Sequence, residues 1–141
     1  MADDVDAWLR RFLHEHGAVA GTVHGTRGDT LELVAAVNIP EPVRRVTAVV
    51  PRGKGMAGLA LERNAPVTTC NLQTDTSGDV RPGARAVAAQ AAAALPVHDA
   101  AGHVRAVVGI AFGDERDLPE DVLAGLARAA ATLPALRPRP A

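Results

Sequence analysis

Two segments that fold back on themselves at short turns constrain the fold of this chain most strongly. In residues 18–35, small and β-branched side chains precede a turn at 27–29, and apolar and polar residues alternate after it. In residues 95–112, two apolar runs flank a turn at 98–103, where Gly102 is free to adopt a positive φ. Strands joined in this way pair as antiparallel hairpins. The sequence therefore predicts a mostly antiparallel sheet.

Amphipathic helices are predicted at both ends of the chain. The first begins at Asp3 or Asp4 and ends at Gly17, and the last begins at 119–121, where a proline and two acidic residues suit a first helical turn. Apolar residues at helical spacing form one stripe on each helix: Val5, Trp8, Leu9, Phe12 and Leu13 on the first, and Val122, Leu123, Leu126, Ala130 and Leu133 on the last. We expect both helices to pack on one face of the sheet.

The middle of the chain, residues 38–90, is expected to cover the opposite face and to leave a pocket beneath it. Its predicted elements are a turn or short helix at 38–42, strands at 46–50 and 67–70, a helix at 55–63, a loop at 71–83 and a helical turn at 84–90. The fold class is thus α/β (α+β). One domain is expected over residues 1–134, with a disordered Pro/Arg tail at 135–141.

Composition excludes several classes of function. The net charge is −1, so no strong field would recruit nucleic acid or a membrane surface, and neither is expected as a partner. The start of the chain has no signal peptide and no segment is apolar enough to span a membrane, so a cytoplasmic location is expected. The single cysteine, Cys70, excludes an internal disulfide framework.

Candidate motifs for phosphate and metal binding are incomplete. The run 53–55, Gly-Lys-Gly, lacks the spacing of a phosphate-binding loop, and a tight turn into a helix is the favoured interpretation. His14 and His16 lie two residues apart and point away from each other on a helix, and no other histidine has a second ligand at useful spacing. No metal, cofactor or catalytic residue is therefore expected.

Three segments, in this order and spacing, resemble a GAF domain. They are VPRGKGMAGLA at 50–60 with APV at 65–67, ALPVHDAAGHV at 94–104 with VVGIAF at 107–112, and LPED at 118–121. The resemblance covers residues 5–133. It implies a GAF/PAS-like antiparallel sheet of five or six strands, terminal helices on one face, a ligand pocket on the other, and dimerisation through the terminal helices.

The resemblance also places the ligand-binding residues. The floor of the pocket is expected at 104–112, one wall at the helix carrying Met56, and a polar lip at 70–85. The candidate ligand-binding residues are Met56, Cys70, Asn71, Gln73, Asp75 and Arg85.

Several of these candidate residues also have a simpler structural interpretation. Cys70 is alternatively a small buried core residue, and Asn71 and Asp75 alternatively bond to the backbone of a turn. Arg81 is expected to form a surface ion pair with Asp75 or Asp79, whereas for Arg85 both an ion pair and an anion clamp stay open.

The favoured function is a small-molecule-sensing or regulatory GAF-like domain that signals to a partner protein and forms a homodimer. The alternative is a protein-interaction module whose pocket is filled by Met56, Leu59, Val67 and Leu72. A free methionine-(R)-sulfoxide reductase is disfavoured, because one cysteine leaves no internal thiol to resolve the product. Too few aromatic residues are present to hold a bilin, and Glu115-Arg116 and Leu118 depart from the cyclic-nucleotide-binding pattern.

Overall fold

The computed structural model describes residues 2–74, 77–80 and 89–136. In chain order, the elements are α1 (Ala2–Glu15), β1 (Ala20–Arg27), β2 (Thr30–Val37), α2 (Glu41–Val46), β3 (Val49–Pro51), α3 (Gly55–Arg63), β4 (Val67–Thr69), β5 (Ala92–His98), β6 (Val104–Ala111) and α4 (Glu120–Ala130). The strands form one antiparallel sheet in the order β3-β2-β1-β6-β5-β4. The predicted α+β fold class is confirmed.

Both predicted hairpins are present and lie side by side. β1 and β2 pair up to Arg27 opposite Thr30, which leaves a two-residue turn between them. In the turn between β5 and β6, the Asp99 carboxylate accepts hydrogen bonds from the backbone N–H groups of Ala101 and His103, at 2.9 and 3.0 Å. The hairpins join through β1 and β6 at the centre of the sheet.

The terminal helices pack together on one face of the sheet, as predicted. The apolar stripe of α1 is buried, and the Trp8 and Phe12 rings stack with centroids 5.0 Å apart. The indole N–H of Trp8 donates to the Thr132 hydroxyl at 3.0 Å, which ties α1 to the end of α4. The predicted stripe of α4 is wrong at Val122, which is 42% exposed, because the helix turns this position away from the sheet.

The chain continues to pack beyond the domain boundary predicted at residue 134. The Arg105 guanidinium donates to the carbonyl oxygens of Leu133 and Pro134, at 2.7 and 3.3 Å. Leu136 then packs against the core beneath α1 and α4. Residues 137–141 of the predicted tail lie outside the described residues.

The predicted strand at 46–50 is the main error in the fold. The helix α2 extends to Val46, and the strand β3 begins only at Val49. Proline suits the first helical turn, where Pro42 lies, and the Thr47 hydroxyl and N–H both bond back to the Val43 carbonyl, which closes the helix. The β propensity of the valines is overridden by these local hydrogen bonds.

Candidate functional site

A cavity of about 480 Å³ lies between the sheet and the segment that covers it. This volume falls within the roughly 300–1,000 Å³ that is usual for small-molecule sites. The cavity exists because the sheet carries very small side chains here. Ala92 and Ala94 of β5 and Gly109 of β6 lie on its floor.

Close packing keeps the floor small at Gly109. A Cβ atom built on Gly109 would lie 2.6 Å from the Thr22 hydroxyl oxygen of β1, which is too short for an ordinary contact. Thr22 also lines the cavity. A glycine is therefore needed where β6 passes this threonine. As a result, no side chain projects from this position into the cavity.

The roof consists of α2, β3 and the start of α3. Ile39, Val43 and Met56 contribute apolar side chains to it. Gly58 allows α3 to lie directly against β3, because a Cβ atom at this position would clash with the carbonyl oxygen of Pro51. The glycine pattern that carried the resemblance thus has a structural purpose: it seats one wall of the cavity.

α2 covers the cavity and contacts the core through Val43, which is only partly buried. None of its residues is buried, and Val46 at its end is 71% exposed. Val49, which is 53% exposed, lies beside it, and both valines line the cavity. Lys54, an exposed residue, also lines it. Among the described residues, the opening is therefore mostly apolar, with Lys54 as its one cation.

His24 is the most deeply buried titratable group in the cavity lining. It belongs to β1, is 3% exposed, and shares a strand face with Thr22. Its Nε2 lies 2.9 Å from the Thr47 carbonyl oxygen, so Nε2–H donates to the turn that ends α2. The other ring nitrogen, Nδ1, is buried and has no hydrogen-bond partner among the described residues.

Burial lowers the pKa of His24, and the hydrogen bond to Thr47 opposes this only in part. The imidazole is therefore held neutral, with its proton on Nε2 and an acceptor lone pair on Nδ1. In the sequence, His24 was weighed only as a metal ligand, for which no second ligand lies at useful spacing. A signal was present, since His24 follows Thr22 at the two-residue spacing of one strand face.

The predicted ligand-binding residues do not all converge. Met56 lines the cavity. Asn71 and Gln73 lie together, but neither is among the described residues that line it. Asp75 and Arg85, with Arg81, lie outside the described residues.

Asn71 and Gln73 instead brace the start of the loop after β4. The Asn71 amide donates to the Glu115 carboxylate at 2.7 Å, and its carbonyl oxygen accepts the backbone N–H of Gln73 at 2.9 Å. The Gln73 amide donates to the carbonyl oxygen of Ala89 at 3.0 Å. This is the turn-bonding arrangement that was the alternative for Asn71.

One further expectation about this loop is corrected. Cys70 is exposed rather than a buried core residue, because β4 ends at Thr69 and the next residue points outward. Asp79 pairs with Arg63 of α3, at 3.0 Å between the guanidinium and the carboxylate. Arg81, for which a pair with Asp75 or Asp79 was expected, lies outside the described residues.

Two features are absent from residues 2–74, 77–80 and 89–136. No group of three or more His, Cys, Asp and Glu side chains is arranged to hold a metal ion. Within the same ranges, no helix combines the length and apolar character needed to cross a membrane.

Comparison with solved structures identifies the architecture. The chain is similar to the GAF domain region of a putative membrane protein from Geobacter sulfurreducens PCA, with a TM-score of 0.73, 14% identity and coverage of 94% of this chain and 89% of that chain. It is similar to the GAF domain of an Acinetobacter phosphoenolpyruvate-protein phosphotransferase, with a TM-score of 0.72, 15% identity and coverage of 94% and 78%.

It is also similar to the type II free methionine-R-sulfoxide reductase from Thermoplasma acidophilum, with a TM-score of 0.71, 16% identity and coverage of 93% and 89%. No protein-family model matches the chain, and no curated protein sequence matches it. At these identities the similarity defines the fold: the chain has a GAF-like fold, with the six-stranded antiparallel sheet that the resemblance implied. Solved structures with this fold include both GAF domains and a reductase.

Proposed function

We propose that this protein is a small-molecule-sensing or regulatory GAF-like domain, which binds a ligand in the cavity under α2 and signals to a partner protein. The observation that carries the proposal is the cavity itself, about 480 Å³ in volume and lined by small and apolar side chains with a few polar groups. Sites for small molecules have this composition. On the sequence grounds given above, the proposed location is the cytoplasm.

A reductase function is not proposed, although proteins of that activity share the fold. Cys70 is the only cysteine of the chain, is exposed, and is not among the described residues that line the cavity. We therefore expect no contact between this thiol and a molecule bound under α2. The sequence also contains no second thiol that could reduce an oxidised Cys70 by forming an internal disulfide.

The alternative function is a protein-interaction module that needs no ligand. The exposed valines at the edge of the cavity, Val46 and Val49, favour it because large exposed apolar side chains that lie together mark contact surfaces. Under this alternative, a partner side chain would fill the opening and no small molecule would be retained.

Native mass spectrometry of protein purified from its own host, together with a thermal-shift screen of small molecules, separates the two functions. A ligand present at about one hundred times its Kd stabilises the folded state by about 2.7 kcal/mol. A retained species or a reproducible shift supports the sensor. If no species is retained and no compound of a broad screen shifts the melting temperature, the sensor function is refuted.

A matched pair of variants shows whether a ligand uses this cavity. Ala57→Leu places extra volume in the cavity wall from α3, whereas Ala124→Leu makes the same change on the exposed face of α4. We expect Ala57→Leu to abolish the shift and Ala124→Leu to retain it. Equal shifts in both variants would place the ligand elsewhere.

A further inference from the structure

His24, which lines a mostly apolar cavity, carries a buried acceptor without a hydrogen bond among the described residues. The side chain is almost wholly buried, yet its Nδ1 has no partner among the described residues. A buried polar atom without a hydrogen bond destabilises a fold by roughly 1–3 kcal/mol. Buried unsatisfied groups are uncommon in native proteins, and a binding partner that completes them is one explanation.

The protonation state of the imidazole determines which ligand group could form a hydrogen bond with Nδ1. Because Nε2–H donates to the Thr47 carbonyl oxygen and burial keeps the imidazole neutral, Nδ1 can only accept. The complementary group on a ligand is therefore an N–H or O–H donor. A second acceptor, such as a carboxylate oxygen, would repel the lone pair unless a proton were taken up.

The rest of the lining disfavours a charged ligand. The floor is formed by alanines and a glycine, and the roof by Ile39, Val43 and Met56. Lys54, the one cation among the described lining residues, is exposed at the edge. An ion transferred into these surroundings loses its hydration, and the described residues supply no buried counter-charge. An uncharged molecule loses much less.

The helix that covers the cavity, α2, can be displaced by such a ligand. Nδ1 is enclosed by its neighbours, so a group that reaches it must displace part of the cover. α2 has no buried residue and is joined to the sheet beneath it by the bond from His24 to Thr47. Displacing the start of α2, while the Thr47 turn keeps its bond to Nε2 of His24, therefore breaks little packing.

We propose that the cavity binds an uncharged, mostly apolar small molecule whose N–H or O–H group donates a hydrogen bond to Nδ1 of His24. This inference rests on the proposed function, because it requires that the cavity takes a small molecule at all. It adds the chemical class of that molecule and the residue that selects it.

Matched probes in which a methyl group replaces the donor hydrogen test the proposal on the unaltered protein. Indole carries one N–H and 1-methylindole carries none, and phenol and anisole differ in the same way for an O–H. Dissociation constants from ligand-observed NMR are expected to be roughly two- to tenfold lower for the donor-bearing member of each pair, the effect of one net hydrogen bond. Indole-3-acetate, an anion of similar shape, is expected to bind more weakly than indole.

Variants assign the preference to His24. His24→Phe keeps a ring of similar size and is expected to bind indole and 1-methylindole equally. His24→Gln retains an acceptor oxygen and is expected to restore part of the preference. His103→Phe, at an exposed histidine in the turn between β5 and β6, is expected to leave the preference unchanged.

The outcomes separate this inference from the proposed function. Equal binding of both members of each pair would overturn the role of His24 while leaving a ligand-binding cavity. Tighter binding of indole-3-acetate would overturn the uncharged class. If none of the probes binds, the inference fails, and the retained species sought by native mass spectrometry then decides the proposed function independently.

Discussion

Substitution of Gly109 by alanine tests whether the cavity floor is kept small by contact with Thr22. The added Cβ atom would lie 2.6 Å from the Thr22 hydroxyl oxygen but 3.9 Å from the Thr22 Cβ atom. The threonine side chain is β-branched, so its χ1 angle does not change freely. Overpacking of this kind destabilises by about 1–3 kcal/mol. Replacing a glycine in a strand also stabilises by roughly 0.5–1 kcal/mol through the unfolded chain.

The expected result is a reversal of sign between two backgrounds. In the unaltered protein, Gly109→Ala is expected to lower the free energy of unfolding by about 0.5–2 kcal/mol, the difference between the two effects. In the Thr22→Ala background the obstructing oxygen is gone, so the same substitution is expected to raise the free energy of unfolding by about 0.5–1 kcal/mol. Urea denaturation at constant m-value measures both changes.

Gly21→Ala serves as the matched control. A Cβ atom at Gly21 would meet the Gly109 carbonyl oxygen at 2.8 Å and a Leu13 methyl at 2.7 Å, and neither atom is removed by Thr22→Ala. We expect Gly21→Ala to destabilise equally in both backgrounds. If Gly109→Ala destabilised equally in both as well, the contact with Thr22 would not be what keeps this position a glycine.

Three other predictions concern stability and assembly. Because burial lowers the pKa of His24, the unfolded chain takes up a proton below about pH 6.5 while the folded protein does not. Stability that is present above that pH is therefore lost as the pH falls toward the lowered pKa, and the free energy of unfolding of His24→Phe should lack this pH dependence. A constant difference in the free energy of unfolding between the two proteins from about pH 7.5 to pH 5 would contradict the assignment. Trp8→Phe and Thr132→Val should each lower the free energy of unfolding, because the two side chains share one hydrogen bond. A double-mutant cycle should give a coupling energy of about 0.5–1.5 kcal/mol. Additive effects would mean that the bond contributes nothing to stability. We also predict a homodimer formed through the terminal helices, and sedimentation as a monomer at micromolar concentration would refute it.

The hairpins and terminal helices were predictable because their signals are local. Strand alternation has a period of two residues and helical stripes a period of 3.6, and both are visible in a short window of sequence. The stripe of α1 is buried at every predicted position, from Val5 to Leu13. Glycine and aspartate at the turns added independent local evidence, so the antiparallel sheet followed.

The polar lip at 70–85 was predicted less well because its described side chains form hydrogen bonds and ion pairs with residues that are distant in sequence. Asn71 contacts Glu115, and Asp79 contacts Arg63. A polar cluster in the sequence shows only that hydrogen-bonding groups are present, and it does not show whether they meet a ligand or brace a loop. Asn71 and Gln73 use side-chain groups in bracing the loop.

By itself, the sequence determined the order of the elements, the antiparallel sheet and the pairing of the terminal helices, since each depends on periodic patterns and turn residues. Only the tertiary structure decided that α2 is a cover without buried residues, that the cavity floor is made of alanine and glycine, and that His24 lies beneath α2 with one ring nitrogen unsatisfied. These features arise where strands far apart in the chain, β1, β5 and β6, meet under one helix. Their chemistry depends on distances across the sheet, and a linear pattern carries no information about those distances.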